Sequence, residues 1–334
     1  MQNKKKFPKV AVFGGGSWAT ALVKILSEKL TEIGWYMRNE QAIEYIKKNR
    51  RNRNYISSVE FKPEQLLLSS NIDELITYAD YLILAIPSAF LNEALNKVNV
   101  IPTDKVIFSA IKGIVPESGK IVGEYLNEKY NIPYRNIGVI TGPCHAEEVA
   151  LERLSYLTVA CQDETKAKIM ADMLNNRYII TKISDDIVGT EYAAVLKNIY
   201  AIAAGIAHGL RYGDNFQAVL MANATREMKR FIKKVHKVKR NINHTAYLGD
   251  LLVTGYSSFS RNRMFGNMIG KGYTVKSAIM EMNMIAEGFY AVKSAYKISQ
   301  IKSAKTPIID TVYRILYENK NQKKEFKVLT GLLD

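Results

Sequence analysis

The chain has 334 residues, enough for about two domains of ordinary size, and its 47% hydrophobic and 24% charged content lies near globular averages, which argues against a disordered, collagen-like or low-complexity chain. No run approaches the ~18 apolar residues of a membrane span, the start Met1-Gln2-Asn3-Lys4-Lys5-Lys6 carries no apolar leader segment, and Cys144, Cys161 and four histidines lack disulfide-framework or metal-site spacing, so a metal-free protein of the reducing cytoplasm is expected. The balance of 47 Lys+Arg against 32 Asp+Glu gives +15, which fits a nucleic-acid partner, an anionic small molecule or a solvated basic surface.

Val10-Ala11-Val12-Phe13 is an apolar strand that runs into Gly14-Gly15-Gly16 and then into helical spacing from Ser17 to Leu26. A second strand around Ile33 to Met37 follows at the interval of a βαβ unit. Tyr81 to Pro87, Val106 to Ala110 and Ile137 to Thr141 are further apolar strands of the kind buried on both faces. This alternation to about residue 185 predicts an α/β fold with a doubly wound, mostly parallel, Rossmann-like sheet. After Gly189 alanine-rich and leucine-rich helical stretches take over. The division expected is a dinucleotide-binding domain over 1–187 and an all-helical substrate and catalytic domain over 188–334. Within the second, 226–240 reads as an amphipathic helix with Met228, Phe231, Ile232, Val235 and Val238 inward and a basic outer face. It lacks interleaved aromatic stacking platforms, so a solvated surface is the simpler reading.

Gly14-x-Gly16-x-x-Ala19 is a variant of the dinucleotide fingerprint: one glycine for the sharp turn, one for close approach of backbone to pyrophosphate, and a small residue for packing of helix on strand. The phosphates would sit at the helix N-terminus. Where an NAD enzyme usually presents an acid to the ribose, the end of the second strand carries Arg38. That tilts the cofactor towards NADP, with Arg38 on a 2′-phosphate, while nearby Glu40 leaves NAD open.

Lys197 stands alone among alanines and isoleucines in Ala193-Ala194-Val195-Leu196-Lys197-Asn198-Ile199-Tyr200-Ala201-Ile202-Ala203-Ala204. A cation there is costly to desolvate unless an anion meets it or its pKa falls. It is either a chemical group or a lysine snorkelling to water.

The neighbouring motifs resemble those of the bacterial-type NAD(P)-dependent sn-glycerol-3-phosphate dehydrogenases. They are Gly14-Gly15-Gly16-Ser17-Trp18-Ala19-Thr20-Ala21, Ile111-Lys112-Gly113, Thr141-Gly142-Pro143-Cys144-His145-Ala146-Glu147-Glu148, Gly189 to Gly205 with Leu196-Lys197-Asn198, Leu248-Gly249-Asp250-Leu251-Leu252-Val253-Thr254, Ser260-Arg261-Asn262-Arg263-Met264-Phe265-Gly266, and Ala286-Glu287-Gly288. In order and spacing they cover nearly the whole chain. The resemblance implies hydride transfer between sn-glycerol 3-phosphate and dihydroxyacetone phosphate, supplying the glycerol phosphate backbone of phospholipids. It implies Lys197 as proton donor and acceptor, Lys112 near nicotinamide and substrate, and Asp250 with Asn198 and Thr254 around the reacting carbon. Ser260, Arg261 and Asn262 would hold the phosphate, with Gly142 also contributing to substrate binding. Gly14, Gly16, Ser17, Trp18, Arg38, Lys112, Ala146, Arg261 and Glu287 would serve the cofactor.

The chemistry asks for these residue types. Hydride addition to a ketone carbon leaves developing negative charge on oxygen, which a nearby ammonium stabilises and protonates. Two neighbouring lysines and partial burial would lower the pKa for the reverse step, while Asp250 would orient them. Arg261 offers a planar fork for phosphate. Lys197 and Asp250 are therefore expected to converge beside the nicotinamide in a cleft between the two domains.

Four positions depart from the family. Cys144-His145 stand where Ser or Thr and then Phe are commoner, Tyr247 stands where a glycine commonly precedes Leu-Gly-Asp, and Gly255 replaces a frequent cysteine. His145 and Tyr247 thus bear on the shape of the substrate pocket. The rivals are a two-domain dehydrogenase of hydroxy acids, with Arg261 on a carboxylate, and a nucleic-acid-binding protein using 226–240. The partner expected is a small phosphorylated substrate, with no nucleic acid and no membrane span, and a homodimer is left open.

Overall fold

The structure, a computed structural model, describes residues 7–282 and 286–334, so the Met1–Lys6 start lies outside it. The chain divides into two compact units, Met1–Ile111 with Val122–Ile187, and Lys112–Ile121 with Val188–Asp334.

The first unit is built on an eight-stranded sheet. In chain order its strands are β1 (Val10–Phe13), β2 (Ile33–Tyr36), β3 (Leu66–Ser69), β4 (Tyr81–Leu84) and β5 (Val106–Ser109), and then, after a hairpin of β6 (Ile114–Val115) and β7 (Lys120–Ile121), β8 (Ile137–Thr141), β9 (Ser155–Cys161) and β10 (Ile179–Ser184). Across the sheet the order is β3-β2-β1-β4-β5-β8-β9-β10. Every neighbouring pair is parallel except β8 with β9. β1, β2, β4, β5 and β8 are buried along their whole length, which is why their sequences run apolar without alternation. The winding direction reverses between β1 and β4, and in such sheets ligands bind beyond the carboxyl ends of the strands at that point. Phe13 lies opposite both Tyr36 and Leu84, so three strands end level there, and the glycine turn follows at once.

The second unit is not all-helical. The β6–β7 hairpin belongs to it, with Ile114 and Ile121 in the same apolar core as Leu196, Ile199, Phe231 and Leu251. A cut at 187/188 therefore leaves ten residues on the wrong side. The hairpin's apolar Ile114 and Ile121 need a core and find it there; two strands of two residues carry too little periodicity to be read from sequence.

Helix Ile187–Gly209 is central, and Ala193 through Ala207 is buried along it, as expected for a helix apolar all round. Helix Arg261–Gly270 lies against it at very short range. A Cβ on Gly205 would come within 2.0 Å of the Arg263 carbonyl oxygen, and one on Gly266 within 2.1 Å of that of Ile202. Gly209 and Gly270 repeat the pattern one turn on. Backbone meets backbone because all four lack side chains.

The basic helix runs Asp214–Val235, not to residue 240: His236 is extended, and Val238, expected on the inner face, is exposed. Met228, Phe231 and Ile232 are fully buried and Lys229, Arg230, Lys233 and Lys234 exposed, so the amphipathic pattern holds as far as the core reaches. From the same helix Glu227, fully buried, accepts the backbone N–H groups of Ile308 (2.8 Å) and Ile309 (3.0 Å) at the start of helix Pro307–Tyr317. Burial pushes its carboxyl up to about 8. It serves as a cap supplied from another helix.

Candidate active site

In the first unit the turn after β1 carries the cofactor fingerprint. Gly14 has φ +137°, and a Cβ on it would meet the Ala85 carbonyl oxygen at 2.5 Å, so only glycine fits. Its N–H donates to the Tyr36 carbonyl (3.0 Å) and stitches the turn to the end of β2. At Gly16 a Cβ would meet nothing within 4 Å, and Gly16 begins helix Ser17–Ser27 with no side-chain cap. An open surface over an uncapped helix start is the cradle a pyrophosphate requires. Ala19 is fully buried beneath it. These residues fit a dinucleotide.

Arg38 leaves the end of β2 exposed, its guanidinium 5.5 Å from the centre of the Phe90 ring. Glu40 is engaged by Ser70, whose hydroxyl donates to it at 3.0 Å. Gly142 follows β8 with φ +131°, and a Cβ there would meet the Tyr156 carbonyl oxygen at 2.6 Å, which explains glycine by the backbone alone. Ala146 opens helix Ala146–Ala150, which packs on helix Ser17–Ser27, and His145 precedes it as the cap residue.

The second unit holds the ionic cluster. Lys197 Nζ donates to Asp250 Oδ1, and Lys112 Nζ lies 3.6 Å from Asp250 Oδ2. Lys197 is 4% and Asp250 1% exposed, whereas the Lys112 side chain keeps 19%. One carboxylate thus holds two ammonium groups, one sealed and one at the edge. Burial pushes the Lys197 amine down to about 7; the Lys112 cation adds to the depression and Asp250 opposes it. A lysine poised there can both give and take a proton near neutrality.

The local sequence fixes this geometry. Asp250 is the first residue of helix Asp250–Tyr256, entered from a π-helical turn Thr245–Gly249 in which Tyr247 is buried, and an acid suits a helix start. Thr254 donates back to the Asp250 carbonyl (2.6 Å). Asn198 Nδ2 donates to the Lys112 carbonyl (2.9 Å), tying the Lys112 backbone to the helix that carries Lys197. Ser260 caps helix Arg261–Gly270, accepting from Arg263 N–H at 3.3 Å. Asn262 Oδ1 accepts from Gly288 N–H at 2.9 Å, and Gly288 packs where a Cβ would lie 2.7 Å from the Asn198 carbonyl oxygen. The helices bearing Lys197 and Asn262 are thereby joined to the start of helix Glu287–Ile301.

Of the residues singled out from sequence, Lys112, Lys197, Asn198, Asp250 and Thr254 form one bonded cluster, with Asn262 packed beside it through Gly288. Arg261 is half-buried and its side chain has no hydrogen bond or ion pair among the described residues; Glu287 is half-buried at its helix start. Gly14, Gly16, Ser17 and Trp18 form the turn and first helical residues of the first unit, with Arg38 beyond the strand they are stitched to. Among the described residues no group of three His, Cys, Asp or Glu could hold a metal, and no helix is long and apolar enough to cross a membrane. Sequence reasoning missed Asn52, whose amide is bonded to the glycine turn. It sits in a polar stretch with no motif, 37 residues from its partner, so nothing local marks it.

A profile of the NAD-dependent glycerol-3-phosphate dehydrogenase N-terminus matches residues 9–167, and one of the same family's C-terminus matches 186–327. A glycerol-3-phosphate dehydrogenase [NAD(P)+] of Staphylococcus carnosus is 32% identical over 325 residues, covering 97% of this chain and 98% of its own. One from Staphylococcus aureus is 32% identical over 323 residues, covering 96% and 97%. Among solved structures, glycerol-3-phosphate dehydrogenase from Coxiella burnetii superposes with a TM-score of 0.88 at 24% identity, covering 97% of this chain and 99% of its own. A D-mandelate dehydrogenase bound to NADH shares the fold more distantly, with a TM-score of 0.60 at 14% identity, covering 95% and 99%.

Proposed function

The chain belongs to the NAD-dependent glycerol-3-phosphate dehydrogenase family and interconverts sn-glycerol 3-phosphate and dihydroxyacetone phosphate with NAD or NADP, and on that premise we propose that Lys197 moves the proton. The observation that carries the proposal is the buried Lys197–Asp250–Lys112 cluster.

When bound, the nicotinamide supplies hydride to the ketone carbon, or takes it back from the alcohol. The chain's own residues do the rest. In reduction, Lys197 as ammonium stabilises the charge developing on the ketone oxygen and delivers the proton; in oxidation, the neutral amine accepts the alcohol proton. Lys112 adds a second cation. Asp250 orients both amines, and Asn198 and Thr254 fix the backbone around them.

The substrate phosphate is assigned to the start of helix Arg261–Gly270. An anion is favoured at that terminus, Arg261 keeps its fork uncommitted among the described residues, and Asn262, its Oδ1 occupied by Gly288, presents Nδ2. Gly14, Gly16, Ser17, Trp18 and Ala146 are assigned to the dinucleotide, with Glu287 and Arg261 contributing, and Arg38 to a 2′-phosphate. Gly142 is assigned to substrate binding. Buried Cys144 and Cys161, neither of them in a disulfide, support a reducing cytoplasmic location, and the product suits a supply role in phospholipid synthesis.

Initial rates with dihydroxyacetone phosphate, with 2-keto acids, and with NADPH against NADH test the reading. Turnover of dihydroxyacetone phosphate, faster with NADPH at low cofactor and losing that preference in Arg38→Ala, is the expected result. An inert dihydroxyacetone phosphate beside a reactive keto acid would refute it and favour the hydroxy-acid alternative, whose present support is a shared fold.

A further inference from the structure

The three successive carbonyls of the glycine turn are each taken by a side chain of the same unit. Trp35 Nε1 donates to the Gly14 oxygen at 2.7 Å, Asn52 Nδ2 to the Gly15 oxygen at 3.1 Å, and Thr20 Oγ1 to the Gly16 oxygen at 3.0 Å. Asn52 also donates to Thr20 Oγ1 at 2.9 Å, which links two of the three braces. Its Oδ1 accepts the N–H of Asn54 at 3.2 Å, and this fixes which way the amide faces. Trp35, Thr20 and Asn52 are all buried.

We propose that Asn52 is a positioning residue for the dinucleotide, one that holds the turn's peptide planes so that its amide groups stay available to the pyrophosphate. In a planar trans peptide the N–H points opposite to the C=O. Binding the carbonyls of Gly14, Gly15 and Gly16 on one side therefore sets the N–H groups of Gly15, Gly16 and Ser17 on the other. No hydrogen bond among the described residues takes those three N–H groups. Glycine is the residue least able to hold such an arrangement unaided, because its backbone is the most permissive. Without Asn52 the Gly15–Gly16 peptide could rotate and its ordering cost would fall on cofactor binding, whereas the Gly16 carbonyl also accepts the Thr20 backbone N–H at 2.9 Å. Asn52 is suited to this because one amide group supplies two donors and one acceptor. The inference rests on the dinucleotide reading of the turn and adds to it the residue that shapes it.

The test is calorimetric binding of ADP-ribose, which carries the pyrophosphate but no nicotinamide, to the full-length enzyme and to Asn52→Ala and Thr20→Val. Loss of one such hydrogen bond predicts a roughly 5- to 10-fold weaker Kd in either variant. The KM for NADPH should rise alongside, with kcat at saturating cofactor and the KM for dihydroxyacetone phosphate unchanged. The double variant should lose less than the product of the two, since both act on one network. A purely structural role would lower Tm and the active fraction while leaving the Kd of the folded enzyme untouched, and that result would overturn the inference. Should Asn52→Ala fail to fold, Thr20→Val carries the same test through the other end of the shared bond. Strong ADP-ribose binding unaltered by both substitutions would remove the role of Asn52 alone. No ADP-ribose binding by the unchanged enzyme would bring down the cofactor reading of the turn, and the inference with it.

Discussion

Lys197 is kept reactive by opposed influences on one amine: burial and Lys112 favour the neutral form, and Asp250 favours the ammonium. The pH dependence of kcat/KM should expose each. If Lys197 moves the proton as proposed, reduction needs its ammonium and slows as pH rises through its pKa, whereas oxidation, needing the free amine, speeds up. Asp250→Asn removes the influence that raises that pKa, and the falling limb should move to lower pH. Lys112→Met removes one that lowers it, and the limb should move to higher pH. Profiles of the two variants shifting in the same direction would contradict this division of roles. Lys197 was legible because a lone cation in an apolar helix is conspicuous; Asp250 and Arg261, one after a glycine and one among serines, gained meaning only through the resemblance. Asn52 was not legible at all, because its role depends on a turn distant in sequence and on a hydrogen bond that no spacing rule predicts.

At the scale of elements, the approach of helices Ile187–Gly209 and Arg261–Gly270 sets the spacing of the proposed site residues, since the first carries Lys197 and Asn198 and the second opens with Arg261 and Asn262. Gly205→Ala or Gly266→Ala places a methyl on a backbone carbonyl and must push the helices apart, at a cost of about 1–3 kcal/mol or more. Thermal melting should show a lower Tm, and the KM for dihydroxyacetone phosphate should rise. Gly213→Ala, where a Cβ meets nothing within 4 Å, is the control. Equal melting shifts at Gly213 and Gly205 would show that the close approach does not matter. The strands with long apolar runs were readable, as were the helices with a strong apolar stripe. β3 and β10 at the two sheet edges and the two-residue strands β6 and β7 were not, because short or edge segments carry little periodicity, and β9, though buried over most of its length, was missed as well. The basic helix was read five residues too long because cations continue past Val235 while the apolar contacts that hold a helix do not.

For the whole molecule, chain order and compact unit do not coincide: residues 112–121 lie amid the sequence of the first unit and are packed in the core of the second. That detour delivers Lys112 to Asp250, so the two-lysine cluster exists only because the hairpin leaves the sheet. The alternating pattern made the sheet predictable and the composition change made the second unit predictable, but no local signal marked the exchange between them. Whether the proton passes through Lys197 is tested most directly by kcat for dihydroxyacetone phosphate reduction by Lys197→Ala, taken together with its ADP-ribose Kd. A fall in kcat on the order of 10²–10⁴ with that Kd unchanged is the predicted result. Turnover close to that of the unaltered enzyme, or a loss matched by equally weakened ADP-ribose binding, would contradict it.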